Sequence, residues 1–170
     1  MRNLVLIIAV LFATPLLAQE PKTLYWTDLL PEGEFEILEQ LYAEQSSPTF
    51  GHNPDDSPLN SNSNQVGTFN VVEELNGKLV RIPGFVLPFE YSNAGKISEF
   101  LLVPYFGACI HTPPPPPNQM VYVTAESPMD LGSQWQPIWA IGVLQTQSNY
   151  NDLGNAAYTL KIQKWEVYDE

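Results

Sequence analysis

Cys109 is the sole cysteine of a 170-residue chain, and His111, one of only two histidines, stands two positions away. Both lie in Gly107-Ala108-Cys109-Ile110-His111-Thr112, directly ahead of five consecutive prolines, Pro113, Pro114, Pro115, Pro116 and Pro117, and then Asn118-Gln119. In an extended backbone residues i and i+2 point to the same side, so this spacing puts a sulfur and an imidazole on one face. A thiolate and an imidazole are ready neighbouring ligands for zinc, and a thiolate also favours Cu(I). The same pair is a nucleophile with its base, although no third orienting group is evident and oxidation would inactivate an exposed thiolate. In a third reading Cys109 is a small buried hydrophobe and His111 a hydrogen-bonded loop anchor. A metal site needs further ligands, for which His52, Asp55, Asp56, another carboxylate, water or a second subunit are the candidates. A single thiol can also bridge two chains into a homodimer.

The residues around the pair restrict it. Thr112 precedes a proline and is therefore held out of the helical region, and five prolines at about 3.1 Å each form a stiff spacer of roughly 15 Å. Such a segment offers carbonyl acceptors and almost no N–H donors. It is either a rigid wall that fixes the Cys-His pair or a rod that docks in an aromatic groove.

The chain opens with Arg2, an apolar run from Leu4 to Leu17, and Ala18 before Gln19-Glu20. These are the three parts of a secretory signal peptide over residues 1–18, and the run is short for a transmembrane helix. No cysteine directly follows the cleavage point, so a lipoprotein is not indicated. The expected location is the periplasm, with no membrane span after cleavage. Loss of Arg2 leaves six bases against nineteen acids, a formal charge of −13. That charge disfavours nucleic acid and anionic membranes and suits cations or a basic protein surface.

Residues 19–170 are long enough for one domain with its own core. Pro31, Glu32 and Glu34 mark the start of a helix over about 31–45, with Phe35, Leu38, Leu41 and Tyr42 on one face. Residues 46–64, rich in Ser, Asn, Asp and Pro, form a polar loop. From 66 to 168 the chain alternates short β-branched and aromatic runs with turn signals such as Asn76-Gly77 and Asp130-Leu131-Gly132. Gly84 falls where a long first strand must curl, and Pro83 and Pro88 must lie at an edge, bend or bulge. In the last run Tyr158, Leu160 and Ile162 share one parity while Trp165 and Val167 share the other, which predicts a bulge or bend. The expected fold is mainly β, a small antiparallel OB-like barrel with an N-terminal amphipathic helix. Trp26, Trp135 and Trp139 are compatible with either core or interface.

The strings Gly84-Phe85-Val86-Leu87-Pro88-Phe89, Phe100-Leu101-Leu102-Val103-Pro104-Tyr105 and Gly107 through Gln119 resemble a family of exported bacterial proteins described as a domain of unknown function. The likeness runs from about Trp26 to about Val167. Members of that family are often encoded beside a MacB-like ABC transporter and a small histidine-rich exported protein, in clusters that respond to zinc starvation. The resemblance implies a periplasmic accessory in zinc acquisition or delivery, with Cys109, His111, Asn118 and Gln119 as its signature residues. The expectation is thus a non-enzymatic metal-handling protein that binds zinc and works with ABC transporter components. The alternatives are an interaction module with a purely structural Cys-His-polyproline motif, or a thiol enzyme.

Overall fold

The computed structural model describes residues 20–45, 65–92, 94–108, 114–130 and 136–169. The expected signal peptide, the polar loop with His52, Asp55 and Asp56, and Cys109, His111, Pro113 and Trp135 lie outside the described residues.

Among the described residues the strands are β1 (Lys22–Thr23), β2 (Lys78–Pro88), β3 (Ile97–Val103), β4 (Val121–Met129), β5 (Ile138–Gln145) and β6 (Tyr158–Val167), and the one α-helix is α1 (Glu34–Gln45). The sheet order is β1-β2-β3-β4-β6-β5, and β2 also pairs with β5, so strands β2 to β6 close on themselves into a five-stranded barrel. Four of its five seams are antiparallel, but β4 and β6 run parallel from Val121↔Tyr158 to Ala125↔Ile162. The barrel is therefore mixed, where a wholly antiparallel one was expected. A parallel pair needs a long crossover rather than a hairpin, and here residues 130–157, including all of β5, supply it.

The barrel closes because β2 serves two neighbours. Residues Lys78 to Gly84 pair with β5, and Phe85 to Pro88 pair with β3. The change of partner comes at Gly84, the position at which the sequence predicts a curl. A Cβ there would stand 2.8 Å from Leu102 Cγ and 2.9 Å from the Val103 carbonyl oxygen, so only glycine lets the strands cross this closely. Pro83 sits at the same bend, where its carbonyl accepts from Trp26 Nε1 at 2.8 Å, and Pro88 ends the strand.

Alternation of period two fills the interior with Val80, Ile82 and Val86 of β2, Phe100 and Leu102 of β3, and Val121 and Val123 of β4. Ile138, Ala140 and Leu144 of β5 and Tyr158, Leu160 and Ile162 of β6 complete it. The parity slip in β6 is a bulge: Ile141 pairs with Lys164 but Gly142 with Ile162, leaving Gln163 as the extra residue. A Cβ on Gly142 would lie 2.2 Å from the Lys161 carbonyl oxygen, so the bulge and the glycine opposite it require each other.

Strand β3 is also buried on its outer side, where Leu101 and Val103 join Ala108, Met120 and Ala156 in a second apolar cluster. Ala108 and Met120, near the two ends of the connection between β3 and β4, form that cover together with Ala156. Residues 66–72, at the start of the β-rich region read from the sequence, belong to no strand and lead into a single 3-10 turn at Glu73–Leu75.

The helix starts at Glu34 rather than at Pro31, whose carbonyl instead accepts from the Glu34 N–H at 3.1 Å. Its buried stripe also differs from the expected one. Glu34 and Leu38 are buried and Leu41 half-buried, while Phe35 is 68% exposed and Tyr42 is exposed. The helix is turned so that a carboxylate, not an aromatic ring, faces the body. Trp26 and Trp139 are both half-buried: Trp26 packs on the barrel core, and Trp139 lies beneath the Arg81 guanidinium, 4.7 Å from its ring centre.

Candidate functional site

Pro114, Pro115, Pro116, Pro117 and Asn118 are buried, so the described part of the proline run is packed into the body. Extended proline carries the chain to Pro116, and Pro117–Gln119 turns it into β4 with one 3-10 turn. Three proline carbonyls find donors, two of them from distant chain and one from the turn that follows. Gln65 Nε2 donates to the Pro115 oxygen at 2.8 Å, the Gln119 N–H to Pro116 at 2.8 Å, and the Ala157 N–H to Pro117 at 2.7 Å. A donor-poor segment is thus satisfied from outside itself, as a buried run of prolines must be.

Gln65 also grips the chain ahead of β6. Its Nε2 donates to the Asn155 oxygen at 2.8 Å and approaches Met120 Sδ at 3.2 Å, while its Oε1 accepts from the Asn155 N–H at 2.8 Å. Two residues on, Gly67 has φ +144°, and a Cβ there would come within 2.6 Å of Pro116 Cβ. Both the backbone conformation and the close approach demand glycine.

Asn118 enters a buried polar cluster. Its Nδ2 donates to Glu34 Oε1 at 2.9 Å, and lies 3.3 Å from both Thr68 Oγ1 and the Asn70 carbonyl oxygen. The Thr68 hydroxyl also donates to Glu34 Oε1, and Asn70 Nδ2 donates to Glu34 Oε2 at 2.8 Å. Glu34, only 2% exposed, therefore has both oxygens occupied by neutral donors from two other segments. Asn118 Oδ1 is buried without a hydrogen-bond partner. Beside it, Gln119 Nε2 donates to the Trp26 carbonyl at 2.8 Å, tying the turn to the N-terminal segment.

This clamp fixes both exits of the Cys-His segment. On one side Ala108 is buried in the cluster with Met120 and Ala156. On the other, Pro114 is buried beside Gly154, which also touches Met120. Among the described residues no group of three or more His, Cys, Asp or Glu is placed to hold a metal ion. Glu34 already accepts three hydrogen bonds from neutral donors and has no second potential metal ligand grouped with it among the described residues. The donors that fit zinc by their chemistry are the thiolate of Cys109 and the imidazoles of His111 and His52.

Asn118, picked out by the motif, is thus joined to Glu34, Thr68 and Asn70, and the proline run to Gln65, none of which sequence reasoning selected as a site residue. For Glu34 a signal existed. It shares helical phase with Leu38 and Leu41, which places a carboxylate on the apolar stripe.

A family model described as "Protein of unknown function (DUF3299)" matches residues 26–167. The chain is also similar to the crystal structure of a DUF3299 family protein from Pseudomonas aeruginosa PAO1, solved at 2.45 Å resolution. That likeness has 31% identity and a TM-score of 0.69, and covers 89% of this chain and 99% of the other. No curated protein matches.

Proposed function

From a chain that belongs to the DUF3299 family, we propose a non-enzymatic, exported metal-handling accessory that binds zinc through Cys109 and His111 and works beside a MacB-like ABC transporter. The supporting observation is the clamp around the motif. Ala108 and Pro114 are both buried, and Asn118 and Gln119 are hydrogen-bonded to three distant segments. A short segment held at both ends suits a ligand pair that must keep its geometry while exchanging its metal. Two protein ligands, with His52 as a candidate third, leave coordination positions open for a transfer partner.

Zinc titration of the reduced mature protein, with Cys109 alkylation followed in the same samples, tests this reading. The expected result is saturable binding that protects the thiol, and its loss in Cys109→Ser/His111→Ala. Affinity should fall as pH drops through the imidazole range, because protons compete for both ligands. Unchanged zinc binding in the double variant would overturn the assignment.

The burial of Pro114 to Asn118 also favours a second reading, in which the whole motif is structural and the protein is an interaction module. That reading predicts no zinc binding, an alkylation-resistant thiol in the folded state and a large stability loss on substitution of Cys109.

A further inference from the structure

We propose that the outward face of β2, β5 and β6 is a docking surface for an acidic, extended segment of a partner protein, with Arg81 as its anchor. Partners across neighbouring strands share a side of the sheet, and three rows point away from the barrel interior: Leu79-Val143-Lys161, Arg81-Ile141-Lys164 and Pro83-Trp139-Glu166. Their charged members are three bases and one acid. That sign is opposite to the chain's own, since residues 19–170 hold six bases against nineteen acids. Glu166 is engaged by Lys164 at 2.5 Å, and that hydrogen bond, more than the nearby Arg81, holds its carboxyl below the usual range. Among the described residues Arg81 and Lys161 have no ion pair.

Arg81 is held ready to receive. Its Nε donates to Thr23 Oγ1 at 2.7 Å, and its guanidinium carbon stands 4.7 Å from the centre of the Trp139 ring. Its two terminal nitrogens have no hydrogen-bond partner among the described residues, so a fork fixed at its base is open at its tip. Such a fork meets a carboxylate through two parallel N–H···O bonds with little ordering left to do. The rings beside it are joined by contact. Tyr25 meets Trp139 edge-on at 6.3 Å, and Tyr168 meets it at 5.0 Å. Tyr25 is 54% exposed, and its backbone N–H is held by Asp28 Oδ2 at 2.8 Å.

Spacing and charge select the occupant. Lys161 lies one row and two strands away from Arg81, about 12 Å by the ordinary spacings of a sheet. One small acid cannot meet both cations, whereas an extended segment with carboxylates three or four residues apart spans them. Between them the face is apolar, with Ile141 and Val143 half-buried, and takes an aliphatic or aromatic side chain set between the two acids. An anionic bilayer or a nucleic acid would bring its charge against the acids around this face, and a second copy, itself at −13, would be repelled as a whole. The inference stands apart from the zinc reading, since none of these residues belongs to the proposed metal site.

The test places a photo-crosslinking phenylalanine analogue at position 25 or 168 of the full-length protein in cells that make it, with position 35 on α1 as control. Phe35 is 68% exposed but lies on a different element. The expected result is an adduct from positions 25 and 168 only. By mass spectrometry it should map to a segment of another protein in which Asp and Glu outnumber Lys and Arg. Replacing Arg81→Glu and Lys161→Glu together should cut its yield by about tenfold, as charge reversal does where opposite charges steer association, while Lys96→Glu, away from this face, should leave it unchanged. Adducts only with a second copy, lipid or nucleic acid, adducts to a segment without acidic excess, no adduct, or equal effects of the two charge reversals would each overturn the proposal. Zinc plays no part in the readout, so these outcomes leave the role of Cys109 and His111 to its own titration.

Discussion

Glu34 accepts from Thr68, Asn70 and Asn118, and every group that faces its two oxygens is a donor. Glu34→Gln would turn one oxygen into an amide that points a donor at a donor. Expected is a loss of about 2–3 kcal/mol, read as a lower urea midpoint with unchanged slope, which is the cost of stranding a buried hydrogen-bonding group. Tyr158 makes a similar link with one hydroxyl, accepting from the Val72 N–H at 2.7 Å and donating to the Leu29 carbonyl at 2.8 Å. Tyr158→Phe strands both backbone groups and should cost about 1–3 kcal/mol in the same assay. The sequence showed half of this polar set. Asn118 and Gln119 follow directly on a run of prolines and attract notice for that reason. Glu34 was hidden because an acid in a first helical turn already has an explanation in the helix dipole. Thr68 and Asn70 were hidden because their partners lie dozens of residues away.

Among the elements, β6 and β5 depend on one another through a single extra residue. Gly142→Ala would drive a methyl group into the Lys161 carbonyl, so the variant must lose the bulge or the β5–β6 pairing around it. An expected loss of about 3 kcal/mol or more, with early hydrogen exchange at β6 amides, follows from overpacking where backbone, not side chain, is in the way. The bulge itself was legible, since a change of side-chain parity within one strand has few other causes. Gly84 was legible for a related reason: a long apolar strand with a glycine inside it must bend. The parallel partnership of β4 and β6 was not, because runs of similar composition do not state which of them pair. Nor was the rotation of α1. Phe35 and Tyr42 are more hydrophobic than Glu34, and only the three donors waiting in the body make the carboxylate the inward choice.

For the molecule as a whole, burial first, and for Tyr122 also its hydrogen bond with Glu99, pushes the phenols of Tyr122 and Tyr158 up to about 12 from 10.0. The folded state therefore holds protons that the unfolded chain releases. Stability from this source is fully present below pH 10 and is lost as pH rises toward 12. Thermal unfolding followed from pH 9 to 12 should show a steep decline, shallower in Tyr158→Phe because that variant has one fewer such phenol. The barrel's connectivity bears on when it forms. β2 meets β5 across some sixty residues of chain, Glu34 meets Asn118 across 84, and β4 meets its parallel neighbour only at β6. A nascent chain that emerges N-terminus first therefore has no seam to close β2 into a barrel until residue 138 is available, and none to complete β4 until residue 158. Folding of this kind is slow and late, dominated by distant contacts rather than local ones. Until residues 138–167 have been delivered, neither β5 nor β6 exists to close the sheet, so the enclosed interior of the barrel waits on the C-terminal end of the chain.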